Sequence, residues 1–515
     1  MVSFQSVYPT CYQFLGKNLQ VPEDQLFSLG AFLDAHPECM SSHIFLSDLA
    51  RVEAARYLLS ESKIPLPPFL KDREVNPNLQ LIEVQWQGLP ELLHGREEVL
   101  SLGQGFVLVW KRSNEQPVCC SEASPHDLLA LKLVSEGIGS REAAEQVKVS
   151  VGFIDDILYQ AENKGLLVSA ASRITRPLEF NRGVVDESKY FTTPTFTLQW
   201  HITQKCDLHC RHCYDRSERS EPDLDQCLRI LDELYDFCQD HNVFTQITFT
   251  GGNPLLYPSF NKLYKEAVDR GFLTAILGNP MSANRIEEIL AIQKPEFYQV
   301  SLEGLPEHND FIRGRGHFNK VINFLALLQD LELYSMVMLT LTRANMDQVV
   351  DLAELLRGKV DLFTFNRLAM VGEGAALASV PIEEYRSFLL SYIEASKRNS
   401  SMGLKDNLIN LLHLDVNKPL FGGCAGRGCG AAFNFIALLP DGEVHACRKF
   451  PSPIGNINTH SLTDIYHGEL AQKYRAGSSE CAKCSIRPVC GGCLAVGYGF
   501  GLDIFKEKDP YCWML

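Results

Sequence analysis

Cys206, Cys210 and Cys213, in the run Cys-Asp-Leu-His-Cys-Arg-His-Cys, follow a strand-like stretch from Phe196 to Trp200. Thiolates at this spacing can hold three irons of a four-iron cluster. Complete four-iron clusters normally take four cysteines, so the fourth iron stays open, and the chemistry implied is one in which iron meets substrate rather than simple electron relay. The competing assignment is a closed zinc site in which His209 or His212 joins the thiols, since zinc accepts tetrahedral nitrogen and sulfur sets.

A second group of thiols lies toward the end of the chain: Cys424, Cys429, Cys447, Cys481, Cys484, Cys490, Cys493 and Cys512. Eight are enough for two four-cysteine clusters. A zinc ribbon or a disulfide framework are the alternatives, because thiolate-rich sites select zinc as well as iron–sulfur clusters. Disulfides belong to oxidising compartments, whereas Met1 leads into Val-Ser-Phe-Gln-Ser without an apolar signal segment. The expectation is therefore a cytoplasmic protein with reduced, metal-ligating cysteines. Cys11, Cys39, Cys119, Cys120, Cys227 and Cys238 are read as small buried hydrophobes.

The elements that must position these residues alternate between strand and helix. Strands are expected near 196–200, 244–250, 273–277, 297–302, 335–342 and 360–366, with helices near 222–239, 257–270 and 346–357, a pattern that gives parallel βαβ units. The fold class is thus α/β, and six such strands suggest an open partial barrel. Ligands collect at the carboxyl ends of strands in these architectures. The three-cysteine loop, the pair Gly251 and Gly252, and Ser301 all fall there. A glycine pair also lets backbone approach a ligand closely. A long helix from Ile382 to Arg398 is expected to bridge to the cysteine-rich end.

These residues resemble the radical S-adenosylmethionine (radical SAM) superfamily, whose signature is Cys-x3-Cys-x2-Cys. Gly251-Gly252-Asn253-Pro254 is similar to its Gly-Gly-Glu-Pro motif, which holds the methionine amino group of the cofactor; Asn253 stands where Glu is usual. Val300-Ser-Leu-Glu-Gly304 with Asp310 and Arg313 resembles the Ser-x-Asp-Gly and Asp-x-x-Arg pattern of sulfatase-maturase-like members. By that likeness Ser301 touches the ribose and Arg313 the carboxylate of the cofactor. The later cysteines, with Gly442, resemble the SPASM extension of peptide-modifying radical SAM enzymes, although Cys490 and Cys493 are separated by two residues where three are usual. The resemblance implies one auxiliary cluster on Cys424, Cys429, Cys447 and Cys493 and another on Cys481, Cys484, Cys490 and Cys512. It also implies a TIM-like (β/α)6 partial barrel.

Upstream, Ile82, Val84 and Trp86, then Phe106, Leu108 and Trp110, alternate as in strands and precede three short helices. Pro125 opens the first, Ser140 is expected to cap the second and Ser150 the third, and Gly165 suits a helix stop. This reads as a winged helix-turn-helix. Its acidic residues, among them Glu122, Asp127, Glu142, Asp155 and Glu162, make it a poor phosphate partner. The chain as a whole carries a net charge of -15, which argues against nucleic-acid binding by a global field. No apolar run reaches membrane-spanning length. The unit resembles the leader-recognition element of maturases of ribosomally made peptides, where a precursor's leader adds as a strand, a form of β-augmentation. A purely structural winged domain is the alternative. Residues 1–75 read as helical, with Leu26, Leu29, Phe32 and Leu33 on one face.

Four regions follow: a helical segment over 1–77, a winged-helix-like unit over 78–175, the barrel over 190–400 and the SPASM extension over 401–515. The resemblance implies three [4Fe-4S] clusters and S-adenosylmethionine as cofactors, reductive cleavage to a 5′-deoxyadenosyl radical, and a flavodoxin or ferredoxin as electron donor. The activity expected is modification of a precursor peptide, by a thioether or another crosslink. Formylglycine formation in a sulfatase is one alternative. A noncatalytic iron–sulfur or zinc protein that binds peptides is another.

Overall fold

The computed structural model describes residues 3–15, 26–40, 43–65, 70, 72–95, 100–113 and 115–514. The chain divides into two compact units, 1–171 and 172–515.

The first unit is built on the strands β1 (Glu74–Val75), β2 (Leu79–Gln87), β3 (Ser101–Trp110), β4 (Cys119–Glu122) and β5 (Leu167–Val168). β2, β3 and β4 form an antiparallel sheet in that order, and β1 pairs with β5. Side chains of a strand alternate between faces, and β3 uses both. Val107 and Val109 join a core with Leu29, Leu33, Leu46 and Leu49 of the N-terminal helices. Leu108 and Trp110 join Leu131, Ile154 and Leu158 on the other side. The N-terminal helices therefore cover one face of the small sheet.

The three helices that follow β4 are Pro125–Glu136, Ser140–Val147 and Val151–Lys164. The first opens with Pro125 and a capping box between Ser124 and Asp127. The third is capped by Ser150, which accepts from the Phe153 amide, and stops at left-handed Gly165. The expected Ser140 cap is not found. Gly139 occupies that position in extended conformation, and Ser140 is the first helical residue, so its hydroxyl lies one step too late to serve the first free amides. Glu74 and Val75 form a strand at the end of the region expected to be helical.

In the second unit β6 (Thr195–Thr203), β7 (Phe244–Gly251), β8 (Leu273–Leu277), β9 (Phe297–Ser301), β10 (Ser335–Leu341) and β11 (Leu362–Arg367) lie side by side in sequence order, all parallel. The six expected strands are these six. The sheet continues past β6. β12 (Phe435–Leu438) pairs parallel to β6, and β13 (Glu443–His445) and β14 (Pro453–Asn456) follow antiparallel. An open edge at β6 would leave a row of unpaired amides and carbonyls, and the C-terminal region supplies the missing neighbour.

Helices pack on this sheet through stripes at helical spacing. In Leu224–Asp240, Cys227, Ile230, Leu231, Leu234, Phe237 and Cys238 are buried, and a capping box of Asp223 and Gln226 fixes its start. Cys227 and Cys238 thus serve as core hydrophobes. The bridging helix runs Ile382–Ser396, with Lys397 as its C-cap and Arg398 beyond it. Tyr385 from this helix meets Tyr511 with ring centroids 4.8 Å apart. Among the described residues no helix is long and apolar enough to cross a membrane.

Candidate active site

The three-cysteine loop leaves the carboxyl end of β6 and is held there by the turn that follows β7. The Gly252 amide donates to Thr203 O at 2.8 Å and the Asn253 amide to Lys205 O at 2.7 Å. A Cβ on Gly251 would lie 2.3 Å from Thr203 O, and one on Gly252 would lie 2.2 Å from Lys205 O. Gly251 also has φ +130°, which side-chain-bearing residues rarely adopt. The glycine pair is therefore needed first for the close approach of two loops of the protein itself.

Asn253 has a specific job at this junction. Its Nδ2 donates to Asp207 Oδ1 at 3.2 Å, and Asn279, from the loop after β8, donates to the same oxygen at 2.6 Å. Asn279 Nδ2 also lies 3.5 Å from Cys206 Sγ. An ionised Glu cannot donate, and against Asp207 it would add like-charge repulsion. The amide in place of the usual carboxylate is thus matched to Asp207. The Asn253 Oδ1 is buried without a protein partner.

On the other side of the loop, Arg313 Nη1 lies 3.7 Å from Cys210 Sγ. Its Nε and Nη2 both donate to Glu303 Oε1, at 2.9 and 2.6 Å. His212 Nε2 contacts the same oxygen at 2.9 Å, and the Thr340 amide donates to Glu303 Oε2 at 2.8 Å. Burial opposes ionisation of Glu303, yet His212 and Arg313 beside it and these hydrogen bonds hold its carboxyl well below the usual range. Such a group contributes stability that is fully present above the unfolded carboxyl pKa of about 4.3 and is lost only as pH falls through the lower folded value. Urea titrations between pH 8 and 5 are expected to show no loss in wild type that Glu303→Gln abolishes; a wild-type loss in that window removed by the substitution would contradict this arrangement.

His212 is committed to Glu303 through Nε2, and exposed His209 contacts Arg216 at 3.1 Å. Among the described residues no three His, Cys, Asp or Glu side chains are close enough to share one metal ion.

Cys206, Cys210 and Cys213 line a cavity of about 370 Å³ together with Gly251, Gly252, Gly278, Ser301 and Arg313. This size suits a small-molecule cofactor. Residues that the sequence reading did not single out complete its wall. His201, hydrogen-bonded to Tyr214 at 2.9 Å, is kept neutral by burial and by the Arg448 charge, its pKa pulled down to about 3. Asn366, Arg448 and Lys449 also line it. The sequence signal for Arg448 and Lys449 was their place directly after Cys447.

Cys424, Cys429, Cys447 and Cys493 line a second cavity of about 50 Å³, with Asn366, Lys405 and Lys449 in its wall. Burial pushes the Cys429 thiol up to about 12 and the Cys447 thiol up to about 11, with Cys424 and Cys493 adding to each rise. Burial likewise raises Cys481 to about 11 and raises Cys512, with Cys484 among the neighbours of both. Cys490 is raised well above the usual thiol value by its burial, with Cys481 and Cys512 beside it. Thiolate ligation by a metal must therefore displace protons here.

The short spacing from Cys490 to Cys493 is accommodated by backbone that only glycine takes easily. Gly491 and Gly492 are both left-handed, with φ 68° and 64°. The reversal separates the two thiols: Cys493 lines the second cavity, and Cys490 faces Cys481 and Cys512. Asn407 Nδ2 holds the turn through Cys490 O at 2.8 Å and Gly492 O at 2.7 Å, while its Oδ1 accepts from the Cys424 amide at 2.7 Å. Buried Arg367 forks onto both Asp509 oxygens at 2.8 Å and onto Asp406 at 2.8 Å. Asp509 in turn accepts from the Cys493 amide at 2.8 Å.

A family model for the radical SAM superfamily matches residues 200–356, and one for an iron–sulfur cluster-binding domain, SPASM, matches 429–493. The chain is 25% identical over 377 residues to the antilisterial bacteriocin subtilosin biosynthesis protein AlbA of Bacillus subtilis, covering 70% of this chain and 78% of that one. It is 29% identical over 339 residues to the mycofactocin maturase MftC of Mycolicibacterium smegmatis, covering 61% and 82%. In fold it is similar to Streptococcus suis SuiB bound to its precursor peptide SuiA, with a TM-score of 0.51 and 14% identity over 80% of this chain and 97% of that one.

Proposed function

We propose that this radical SAM enzyme, with its C-terminal SPASM domain, modifies a ribosomally made precursor peptide, forming a thioether or another bond to an unactivated peptide carbon. The observation that carries this reading is the single cavity lined both by Cys206, Cys210 and Cys213 and by Asn366, Arg448 and Lys449, the last of which also borders the SPASM thiols. The names of AlbA, a bacteriocin biosynthesis protein, and MftC, a maturase, support maturation of such a product as the reaction class.

The cofactors are S-adenosylmethionine and four-iron clusters. When bound, they supply a 5′-deoxyadenosyl radical able to take hydrogen from carbon. In this reading Cys206, Cys210 and Cys213 hold the first cluster. Gly251 to Pro254 and Ser301 border the cofactor, and the glycine pair keeps this turn against the three-cysteine loop, where a side chain would meet Thr203 O or Lys205 O. Arg313, which lines the same cavity with Nε and Nη2 on Glu303 and Nη1 3.7 Å from Cys210 Sγ, is assigned to the cofactor carboxylate. The protein's part is to orient substrate and keep water from the radical.

The first unit is assigned to leader binding. Among the described residues β2 and β4 have no strand beyond them in their sheet, and Phe153 and Tyr159 of the third helix are exposed. An edge with neighbouring apolar side chains suits an added strand. A flavodoxin- or ferredoxin-class donor and a cytoplasmic setting complete the proposal. The test uses a short peptide encoded beside this chain, incubated with reconstituted enzyme and followed by mass spectrometry. A mass loss of hydrogen from the peptide supports maturation, and modification of a neighbouring sulfatase in its place refutes it. Removing residues 1–171 is expected to weaken precursor binding by at least about tenfold, or ~1.4 kcal/mol, while basal cofactor cleavage persists; equal affinity would reject the leader-binding role.

A further inference from the structure

Among the described residues, Arg216, Arg313, Arg367, Arg448 and Lys449 are the arginines and lysines that line the larger cavity. Arg313 is held by Glu303, Arg367 by Asp406 and Asp509, and Arg216 has Glu373 at 3.9 Å. Asp215, the carboxylate in the same wall, is taken up by Arg219 at 3.2 Å and by Ser217. Arg448 and Lys449 are left without a carboxylate partner among the described residues.

The polar groups these two side chains bring to the cavity are all donors, since a guanidinium and an ammonium carry N–H groups and no acceptor. Lys449 donates to Asn366 Oδ1 at 2.9 Å, and Lys405 donates to the same oxygen at 3.1 Å. Two ammonium groups on one oxygen fix which way that amide is turned. The Asn366 nitrogen therefore adds further N–H donors, and it has no acceptor among the described residues. Partly buried Arg448 makes no hydrogen bond with them either. Polar groups withdrawn from water are normally hydrogen-bonded. The negative groups facing Arg448 are Cys424 and Cys447; Lys405 and neutral His201 face it too. A cluster on those thiols adds negative charge, which Lys405 and Lys449 answer from the wall of the smaller cavity, where Asp406 is committed to Arg367. Arg448 lines the larger cavity and not the smaller one.

We propose that Arg448, with Lys449 and the Asn366 amide beside it, binds a carboxylate of the peptide substrate, from an Asp or Glu side chain or from the C-terminus, and so selects which residue enters the cavity for modification. This rests on the peptide reading given above. With the cofactor carboxylate assigned to Arg313, the anions an unmodified peptide offers near neutral pH are its own carboxylates. Parallel N–H groups of a guanidinium match the two oxygens of a carboxylate, which gives direction as well as affinity. A peptide segment that brings a neutral group to the same place leaves the cations unpaired, and one that brings a Lys or Arg is repelled. Selection of this kind works as much by penalising the wrong partner as by holding the right one.

The experiment uses full-length reconstituted enzyme and the short peptide encoded beside this chain, with kcat/KM for modification followed by mass spectrometry. Each Asp and Glu of the peptide is changed singly to Asn or Gln, and in a separate arm the C-terminus is amidated. One of these changes should lower kcat/KM by at least about tenfold, as expected when one partner of a desolvated charge pair is removed, and the arm in which it falls tells side chain from terminus. Arg448→Met should cause a similar loss on the unaltered peptide and little further loss on the peptide lacking that carboxylate, the non-additivity expected of groups in contact. Arg448→Lys keeps the charge without the fork; it should show a smaller loss with the same dependence on the peptide, and it carries the comparison should Arg448→Met lose iron. Tolerance of every peptide change, or a loss in the Arg448 variants that is equal on all peptides, as it would be if Arg448 served the cofactor or the fold, would overturn the proposal. A wild-type enzyme that leaves the peptide unmodified would instead refute the peptide reading beneath it, so the two failures are told apart by the wild-type reaction alone.

Discussion

Replacing Cys206, Cys210 and Cys213 together by Ala abolishes formation of 5′-deoxyadenosine and removes the iron of one cluster, while the iron bound by the eight later cysteines stays. The expectation follows from the separation of the ligand groups. The three thiols share the larger cavity with Gly251, Gly252 and Ser301, whereas of the later eight Cys424, Cys490 and Cys493 are fixed by Asn407, Asp509 and the Gly491–Gly492 turn. None of those supports comes from the three-cysteine loop. Anaerobic reconstitution followed by iron analysis and product chromatography checks both halves. Unchanged cleavage would remove these cysteines from the chemistry, and loss of all iron would show that the groups are not independent.

Arg367→Met is expected to cost about 3–5 kcal/mol of stability, because it strands Asp406 and Asp509 without their shared counter-charge. All three side chains are less than one-tenth exposed, so water cannot replace the guanidinium. The same change should loosen the turn that presents Cys493, whose amide is fixed by Asp509. Denaturant unfolding and SPASM iron content are therefore expected to fall together. A variant with wild-type stability would contradict the assigned role of this triad. A destabilised variant with full SPASM iron would confine that role to packing.

The features most readable from the residues were those with strong local codes. The cysteine spacings and the six apolar strands from Thr195 to Arg367 carry their own period and chemistry, so their order and direction followed. What escaped depended on partners distant in sequence. That β12 extends the sheet beyond β6 is decided by an edge more than two hundred residues upstream of it. That Asn253 suits its place is decided by Asp207, which no motif marks. The two-residue gap between Cys490 and Cys493 looked like a departure until the paired left-handed glycines accounted for it. Lys405 offered no sequence signal at all, since a lone lysine in Gly-Leu-Lys-Asp is ordinarily a solvated residue. Ser140 failed for a local reason, as Gly139 served the cap without a side chain.

Low-temperature electron paramagnetic resonance of anaerobically reconstituted, reduced protein, titrated with S-adenosylmethionine, addresses the open iron most directly. One four-iron signal should change its g-values as the cofactor binds, and that signal should be missing when Cys206, Cys210 and Cys213 are Ala. A spectrum indifferent to the cofactor, or zinc in place of iron at these three cysteines, would contradict the assignment.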